Sequence, residues 1–521
     1  MPPAATGNGG IDAPKNKFTG IAMTAFSAFG GILYGYDTGI ISGILAMDDF
    51  KATFGQQASD GTFSLPSSSQ SLFVSILSAG TFVGALFGAP MGDIIGRKWG
   101  IVIAAAVFSI GIALQTAAVT AAPFVVGRVF AGLGVGLVSC LVPMYQSECS
   151  PKWIRGAVVS LYQWAITIGI LLAAIINNAT QGRSNHSAYQ IPISIQFVWA
   201  FILGFGMMLL PESPRFLVRQ GRDEDAALSL SRLTRLSPDD PVVRTELAEI
   251  RTNFEAELAL GESSYLDCFR PSHNKILLRT LTGIFIQAWQ QLTGINFIFY
   301  YGTQYFQNAG INQAFLITIA TGIVNVFMTL PGLYGVERYG RRSLLLIGAL
   351  GMTICEFIVA IVGVTIPASN LAGQRVLIAF VCIYIAFFAS TWGPIAWVIV
   401  GEIFPLQVRA KGISLSVASN WLWNFGIAFA TPYLVNTQAG SAGLGSKVFF
   451  IWGTTCACCL VFTYFCVPET KGLSLEQIDE MYQEVTPLNS YQYRRRLQEE
   501  GGFRTEKADI IHEETAEKER T

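Results

Sequence analysis

The sequence predicts an all-α polytopic membrane protein with 12 transmembrane helices, six plus six, and a helical insert between the two sets. Three observations carry this reading. Only 13% of the 521 residues are charged and 51% are hydrophobic, about half the charged share of an ordinary soluble protein. The apolar residues fall in long blocks, many of them past the roughly 18 residues that mark a spanning helix. Short charged motifs recur at matching places in the two halves. The 52 glycines agree, because glycine lets membrane helices approach closely.

Residues 1–17 form a polar N-terminal tail without the apolar core of a signal peptide, so the first block is expected to stay as an uncleaved span. Spans are expected near 18–46, 71–91, 99–119, 122–146, 157–179 and 191–210, which makes residues 18–210 one six-helix bundle. Residues 211–276 hold helix-forming runs such as DEDAALSLSRL and TELAEIRTNFEAELAL and no span, and read as a cytoplasmic helical linker. A second bundle, 277–467, follows with spans near 277–305, 313–335, 343–366, 376–404, 412–435 and 447–467. Residues 468–521 form a cytoplasmic tail whose charged, weakly hydrophobic composition predicts disorder.

Orientation follows from the cations. Lys15, Lys17, Arg97, Lys98, Lys152, Arg155, Arg338, Arg341, Arg342, Arg409 and Lys411 fall on one side with the linker and tail, whereas the other side keeps Lys51, Arg183, Arg375 and Lys447. The positive-inside rule therefore places both termini in the cytoplasm. The sequons at Asn178 and Asn185 then face outward.

Several function classes are disfavoured. A net charge of -1 speaks against nucleic acid, which needs a basic surface. His186, His273 and His512 lie in separate polar segments, and the one CxxC spacing among the nine cysteines, Cys456 to Cys459, falls inside an apolar block, so neither a metal nor another cofactor is expected. No polar constellation resembles a nucleophile with its base, so the chain is not expected to be an enzyme.

The halves repeat one another. GDIIGRK after the second span is answered by VERYGRR after the eighth, with Gly96 and Gly340 244 residues apart. Glu148 and Arg155 after the fourth span are answered by Glu402 and Arg409 after the tenth, and PESPR after the sixth by PETKG after the twelfth. Parallel six-span repeats describe a secondary transporter with its site where the halves meet. Together with PMYQSECSPKWIRG, QQLTGIN and GEIFPLQVRAKG, these motifs resemble the sugar porter family of the major facilitator superfamily, above all fungal hexose transporters, from about Gly20 to Tyr482. The resemblance implies a bundle in the plasma membrane that alternates between outward-open and inward-open states around a monosaccharide.

A sugar needs amides for neighbouring hydroxyls and an aromatic plane for its apolar face. The apolar blocks supply Gln163, Gln290, Gln291, Asn296, Asn325, Trp397, Asn420, Trp421 and Asn424. Of these, the resemblance assigns Gln163, Gln290, Gln291, Asn296, Asn325, Trp397 and Asn424 to the sugar site. Gln290 and Asn424 are expected to meet across the interface between the halves. Asp37 and Arg128 stand as charges inside the apolar blocks, each costing about 2.5 to 3.5 kcal/mol at mid-membrane. In proton-coupled members, residues at these positions form a switchable pair, which implies symport of a hexose such as glucose with protons. A facilitative uniporter and a transporter-like sugar sensor are the alternatives, and Gly30, Gly31 and Gly35 resemble a pattern of carriers that accept xylose. Asp93, Arg97, Glu148, Arg155, Glu337, Arg341, Glu402 and Arg409 are expected to form charge clusters at the cytoplasmic helix ends that favour the outward-open state. The expected partners are thus a monosaccharide, protons and membrane lipid.

Overall fold

The structure, a computed structural model, describes residues 17–57, 61–150, 155–259, 264–367, 369–405, 407–438, 440–473 and 475–499. Twelve spans form two six-helix halves. In the first half the continuous spans, second to sixth, are Ser67–Ile94, Arg97–Ala117, Ala121–Cys149, Arg155–Thr180 and Ser187–Leu209. In the second half the eighth, ninth, eleventh and twelfth are Ala314–Tyr339, Arg341–Thr365, Arg409–Val435 and Val448–Cys466.

The first, seventh and tenth spans are not the uninterrupted blocks that composition predicts. The first is Lys17–Phe26 followed by Phe29–Ala46, the seventh Ile276–Leu292 followed by Ile295–Asn308, and the tenth Leu371–Ser390 followed by Trp392–Glu402. Gly294, at φ +83°, supplies the left-handed residue that breaks the seventh. Non-helical backbone at membrane depth survives only where protein covers it, and here it is covered. Tyr384 Oη donates to the Thr293 carbonyl (2.8 Å) and Thr455 Oγ1 to that of Leu292 (2.6 Å).

Among the described residues, nine helical segments pass a simple test of length and hydropathy for crossing a membrane. The first, seventh and eleventh spans fall outside those nine. The first and seventh are broken, and the eleventh carries Ser414, Ser416, Ser419, Asn420 and Asn424. The weakest membrane signals thus belong to helices that bear polar site residues.

Within the first half, the first and fifth spans pack closely along Gly31, Gly35, Gly39 and Gly43. A Cβ on Gly31 would lie 2.5 Å from the Tyr162 carbonyl oxygen, and one on Gly35 would collide with the backbone of Ile166. The halves meet where the second span packs on the eleventh, the fifth on the eighth, and the first on the upper piece of the seventh. The linker folds as Pro214–Arg219, Asp223–Thr234 and Pro241–Ala259 and joins the first half, where Arg219 pairs with Asp93 at 2.8 Å.

As far as residue 499 the tail departs from the expected disorder, and residues 500–521 of that expectation lie outside the described residues. Leu475–Glu484 and Ser490–Glu499 are helical, with Ile478, Met481, Tyr482 and Tyr493 buried. Arg279, fully buried at the start of the seventh span, pairs with Asp479 and lies 4.3 Å from the Tyr482 ring centroid. The physical reason is local. Ile478, Met481 and Tyr482 fall at helical i, i+3, i+4 spacing, a short apolar stripe that averaged composition conceals.

Candidate substrate site and coupling pair

The seventh and eleventh spans build a cluster of buried amides. Gln291 Oε1 accepts from Asn296 Nδ2 and, at 3.2 Å, from Asn424 Nδ2. Asn424 Oδ1 in turn accepts from Tyr300 Oη at 3.0 Å and, from the opposite half, from Ser78 Oγ at 2.6 Å. Gln291, Asn296 and Tyr300 share a face because they recur at intervals of four or five residues around the break. The Gly294 kink lets that face turn from the lower to the upper helical piece.

Gln290 occupies a second, adjacent cluster. Its amide donates to the carbonyls of Trp392 (2.9 Å) and Gly393 (3.0 Å), and its oxygen accepts from Asn420 Nδ2 (2.9 Å), which also reaches Gln287. This corrects one expectation. Gln290 and Asn424 do not meet across the halves, since both lie in the second half, and Gln291 is the residue bonded to Asn424. Helical rotation puts adjacent glutamines about 100° apart, a difference that residue spacing alone does not orient.

Gln163 is half-buried and Asn325 buried, and neither bonds to these clusters. They neighbour a contact between the halves in which Trp164 Nε1 donates to the Val326 carbonyl (3.2 Å). Trp397 is 37% exposed. Trp421 is buried, its ring 5.6 Å from that of Tyr34 on the first span. Gln287, Tyr300, Tyr34 and Ser78 touch these candidate residues, and sequence reading missed them. Gln287 and Tyr300 stand one helical turn from Gln291 and Asn296, a spacing that could have found them; Ser78 carries no such signal.

Asp37 and Arg128 do pair, at 3.4 Å, each side chain 1% exposed. Arg128 Nε also donates to the Phe73 carbonyl (3.0 Å), while Asp37 Oδ2 and Arg128 Nη2 lack partners. The second span touches both this pair and the amide cluster: its Phe73 carbonyl accepts from Arg128 and its Ser78 donates to Asn424. Besides Asp37 and Arg128, Glu356 of the ninth span is 1% exposed and Arg279 of the seventh is fully buried.

At the cation-rich face each half builds the same device. After Gly96 (φ +103°), Glu212 accepts from the backbone N–H groups of Arg97 and Lys98, both at 3.0 Å. After Gly340 (φ +92°), Glu469 accepts from those of Arg341 (2.9 Å) and Arg342 (3.2 Å). The Arg97 guanidinium reaches Asp93 (3.2 Å) and Glu148 (3.0 Å), and that of Arg341 reaches Glu402 (2.9 Å). Ser213 and Thr470 donate to Glu148 and Glu402 respectively. Burial pushes the Glu212 carboxyl above its ordinary range, opposed by the N–H groups it accepts. Arg409 Nε donates to the Phe404 carbonyl (3.1 Å). The side chains of Arg155 and Glu337 lie outside the described residues.

Hydrogen bonds between the halves run from the centre to the cation-poor face. There Ser67 Oγ meets Ser441 Oγ (2.9 Å), Asn436 reaches Gln70 (3.2 Å), and Ser42 meets Thr303 (3.0 Å). The ion pairs given above for the charge clusters each join residues of one half. The two halves are thus hydrogen-bonded to one another at the cation-poor end.

Two pseudo-equivalent six-helix halves around neutral buried amides define a secondary transporter of the major facilitator fold, not an enzyme. The family described as "Sugar (and other) transporter" matches residues 23–482, and the chain belongs to it. It is 53% identical over 476 residues to the major facilitator-type transporter ecdD of Aspergillus rugulosus, covering 89% of this chain and 87% of that protein. It is 48% identical to the probable glucose transporter rco-3 of Neurospora crassa (89% and 79% covered) and 43% identical to the high glucose sensor RGT2 of Saccharomyces cerevisiae (90% and 62%). Among solved structures, the partially occluded inward-open xylose transporter XylE of E. coli aligns with TM-score 0.72 and 26% identity over 88% of this chain and 99% of that one. The proton:xylose symporter XylE bound to 6-bromo-6-deoxy-D-glucose aligns with TM-score 0.71 and 27% identity (90% and 100% covered).

Proposed function

We propose that the chain takes up a monosaccharide, first of all a glucose-like hexose, by proton symport across the plasma membrane, with both termini cytoplasmic. The observation that carries this reading is the buried Asp37–Arg128 pair, held to the same second span, through Phe73, that reaches the amide cluster through Ser78. Neutral amides suit hydroxyls, and no fixed charge stands among them to demand an ionic substrate. Gln163, Gln290, Gln291, Asn296, Asn325 and Asn424 supply polar contacts from both halves, and Trp397 a stacking face. Sugar bound between the halves draws them together, while protonation of Asp37 releases Arg128 and frees the first span to move.

With the cation-rich face cytoplasmic, a state whose halves are bonded together at the cation-poor end faces inward, like the partially occluded inward-open XylE with which the chain aligns. Asp93, Arg97, Glu148, Arg155, Glu337, Arg341, Glu402 and Arg409 then set the balance against the outward-open state from the cytoplasmic helix ends. A bistable carrier needs a gap of only a few kcal/mol.

The test is uptake in proteoliposomes with an imposed pH gradient, over a panel of hexoses and pentoses. Accumulation that collapses with a protonophore supports symport; equilibration without accumulation leaves a uniporter. A sensor reading is favoured only by the similarity to a glucose sensor. Sugar uptake restored in a transporter-null cell would overturn it.

A further inference from the structure

The cation-poor end holds a cavity of about 610 Å³ that the transport scheme does not use. Its volume falls within the roughly 300 to 1,000 Å³ of small-molecule sites. Both halves line it. Gln70 belongs to the second span, Gln304 and Asn308 to the upper piece of the seventh, and Gln374 to the tenth, while Asn436 and Gln438 follow the eleventh. Six side-chain amides thus share one space. Lys51 is the single charged residue among those described in its lining, and it already pairs with Asp48 at 3.7 Å.

Four of these amides hold the walls together. Gln70 and Gln438 both donate to the Leu65 carbonyl (2.8 and 2.9 Å), Asn436 donates across the halves to Gln70 (3.2 Å), and Gln374 donates to the Gly310 carbonyl (3.1 Å). Gln304 and Asn308 are different. Gln304 is half-buried and Asn308 exposed, and neither side chain has a hydrogen-bond partner among the described residues, so both amides are left to whatever fills the cavity. Asn296, Tyr300, Gln304 and Asn308 recur at every fourth residue, one polar group per helical turn. The free pair therefore continues the polar series that begins in the amide cluster. A narrower cavity sharing Gln304 and Asn308 runs between the seventh and eleventh spans, past Tyr301 and Thr431. An amide donates and accepts at one group, as a hydroxyl does, and exposed Phe63 with buried Tyr305 adds aromatic rings to the lining. That chemistry fits a neutral, hydroxyl-rich ring rather than an ion.

We propose that this cavity is a second sugar-binding site, in which Gln304 and Asn308 hold a monosaccharide on the cation-poor face while the halves are still bonded together there. When the halves part, the sugar finds its next polar contacts at Tyr300 and Asn296, one and two turns along the same helix. The proposal rests on the reading of the chain as a sugar carrier whose cation-poor face is external.

The experiment labels a reporter thiol from outside intact cells with a membrane-impermeant maleimide. T437C and A309C, at two positions lining the cavity, serve as reporters, each alone and combined with N296A or Q304L, and the unmodified chain with its nine native cysteines is the blank. External D-glucose should slow the labelling of both reporters. N296A, which weakens the central cluster, should leave the half-protecting glucose concentration within about twofold, as separate sites do. Q304L, similar in bulk but without the amide, should raise it roughly 5- to 10-fold; N308A carries the same comparison should Q304L not reach the membrane. Protection that N296A weakens as much as Q304L comes from the central cluster and overturns the proposal. Equal protection by sorbitol at the same osmolarity is crowding and overturns it too. So does unprotected labelling of both reporters in a chain that takes up glucose. A chain that neither binds nor takes up glucose would instead sink the sugar reading on which the proposal rests.

Discussion

Asn296→Ala removes one arm of the Gln291–Asn296–Asn424 cluster and leaves a sugar hydroxyl without its partner. An unmade hydrogen bond in a dry site costs about 1 to 3 kcal/mol, so sugar affinity should fall roughly 5- to 150-fold. Titration of the purified variant with sugar checks this, and normal affinity in a correctly folded variant would remove Asn296 from the site. Asp37→Asn tests coupling at the same scale. One proton crossing 100 mV supplies about 2.3 kcal/mol, and a one-unit pH gradient about 1.4, together enough for roughly 400-fold accumulation. Asparagine keeps the shape of the protonated carboxyl but cannot release a proton, so uphill uptake and sugar-induced alkalinisation should both disappear while exchange of sugar persists. Accumulation that survives in Asp37→Asn would make the Asp37–Arg128 contact a structural pair only.

At the scale of the element, the two helix starts after Gly96 and Gly340 should respond alike to loss of their acidic partners. Glu212 and Glu469 each satisfy two backbone N–H groups, and removal of a side-chain cap costs about 0.5 to 2 kcal/mol. Glu212→Ala and Glu469→Ala should therefore lower the melting temperature by similar amounts, and the double variant by about their sum, since they sit in separate halves. Unequal losses would mean that the repeated motif does different work in each half. The docked tail gives a second test. Asp479→Ala leaves the buried Arg279 guanidinium without its carboxylate, and an abandoned buried charge is more costly than a surface one. Thermal stability should drop by about 1 to 3 kcal/mol, whereas exposed Asp239→Ala, whose pair with Arg244 lies at the surface, should change it by no more than about 1.

At the scale of the whole molecule, the claim is that two halves close against each other at the cation-poor end and must part there once per cycle. Ser67 and Ser441 face one another across that seam. A cysteine pair at these positions, S67C with S441C, should cross-link under oxidation and stop uptake, with recovery on reduction. Sugar binding should persist in the locked protein because the amide cluster lies deeper than the bridge. Unimpaired uptake with complete cross-linking would show that the seam need not open.

Much of this architecture is legible in the sequence because its causes are local. Blocks longer than a bilayer is thick, cations gathered on one side, and motifs repeated at helix ends need no knowledge of distant contacts. Asp37 and Arg128 stand out for the same reason, since a charge in an apolar run is conspicuous wherever its partner lies. Tertiary structure decided the rest. Which face of the seventh span meets the eleventh separates Gln290, bonded to Asn420, from Gln291, bonded to Asn424, and that depends on helix rotation rather than spacing. The repeated PESPR and PETKG motifs could be paired by eye, but only the fold brings Glu212 and Glu469 onto the helix starts more than a hundred residues earlier. The tail reads as disordered by average composition and folds because the buried cation Arg279 and a short apolar stripe give it somewhere to dock. Hydrophobicity sets where the chain crosses the membrane, whereas the pairing of buried polar groups depends on contacts between helices remote in sequence.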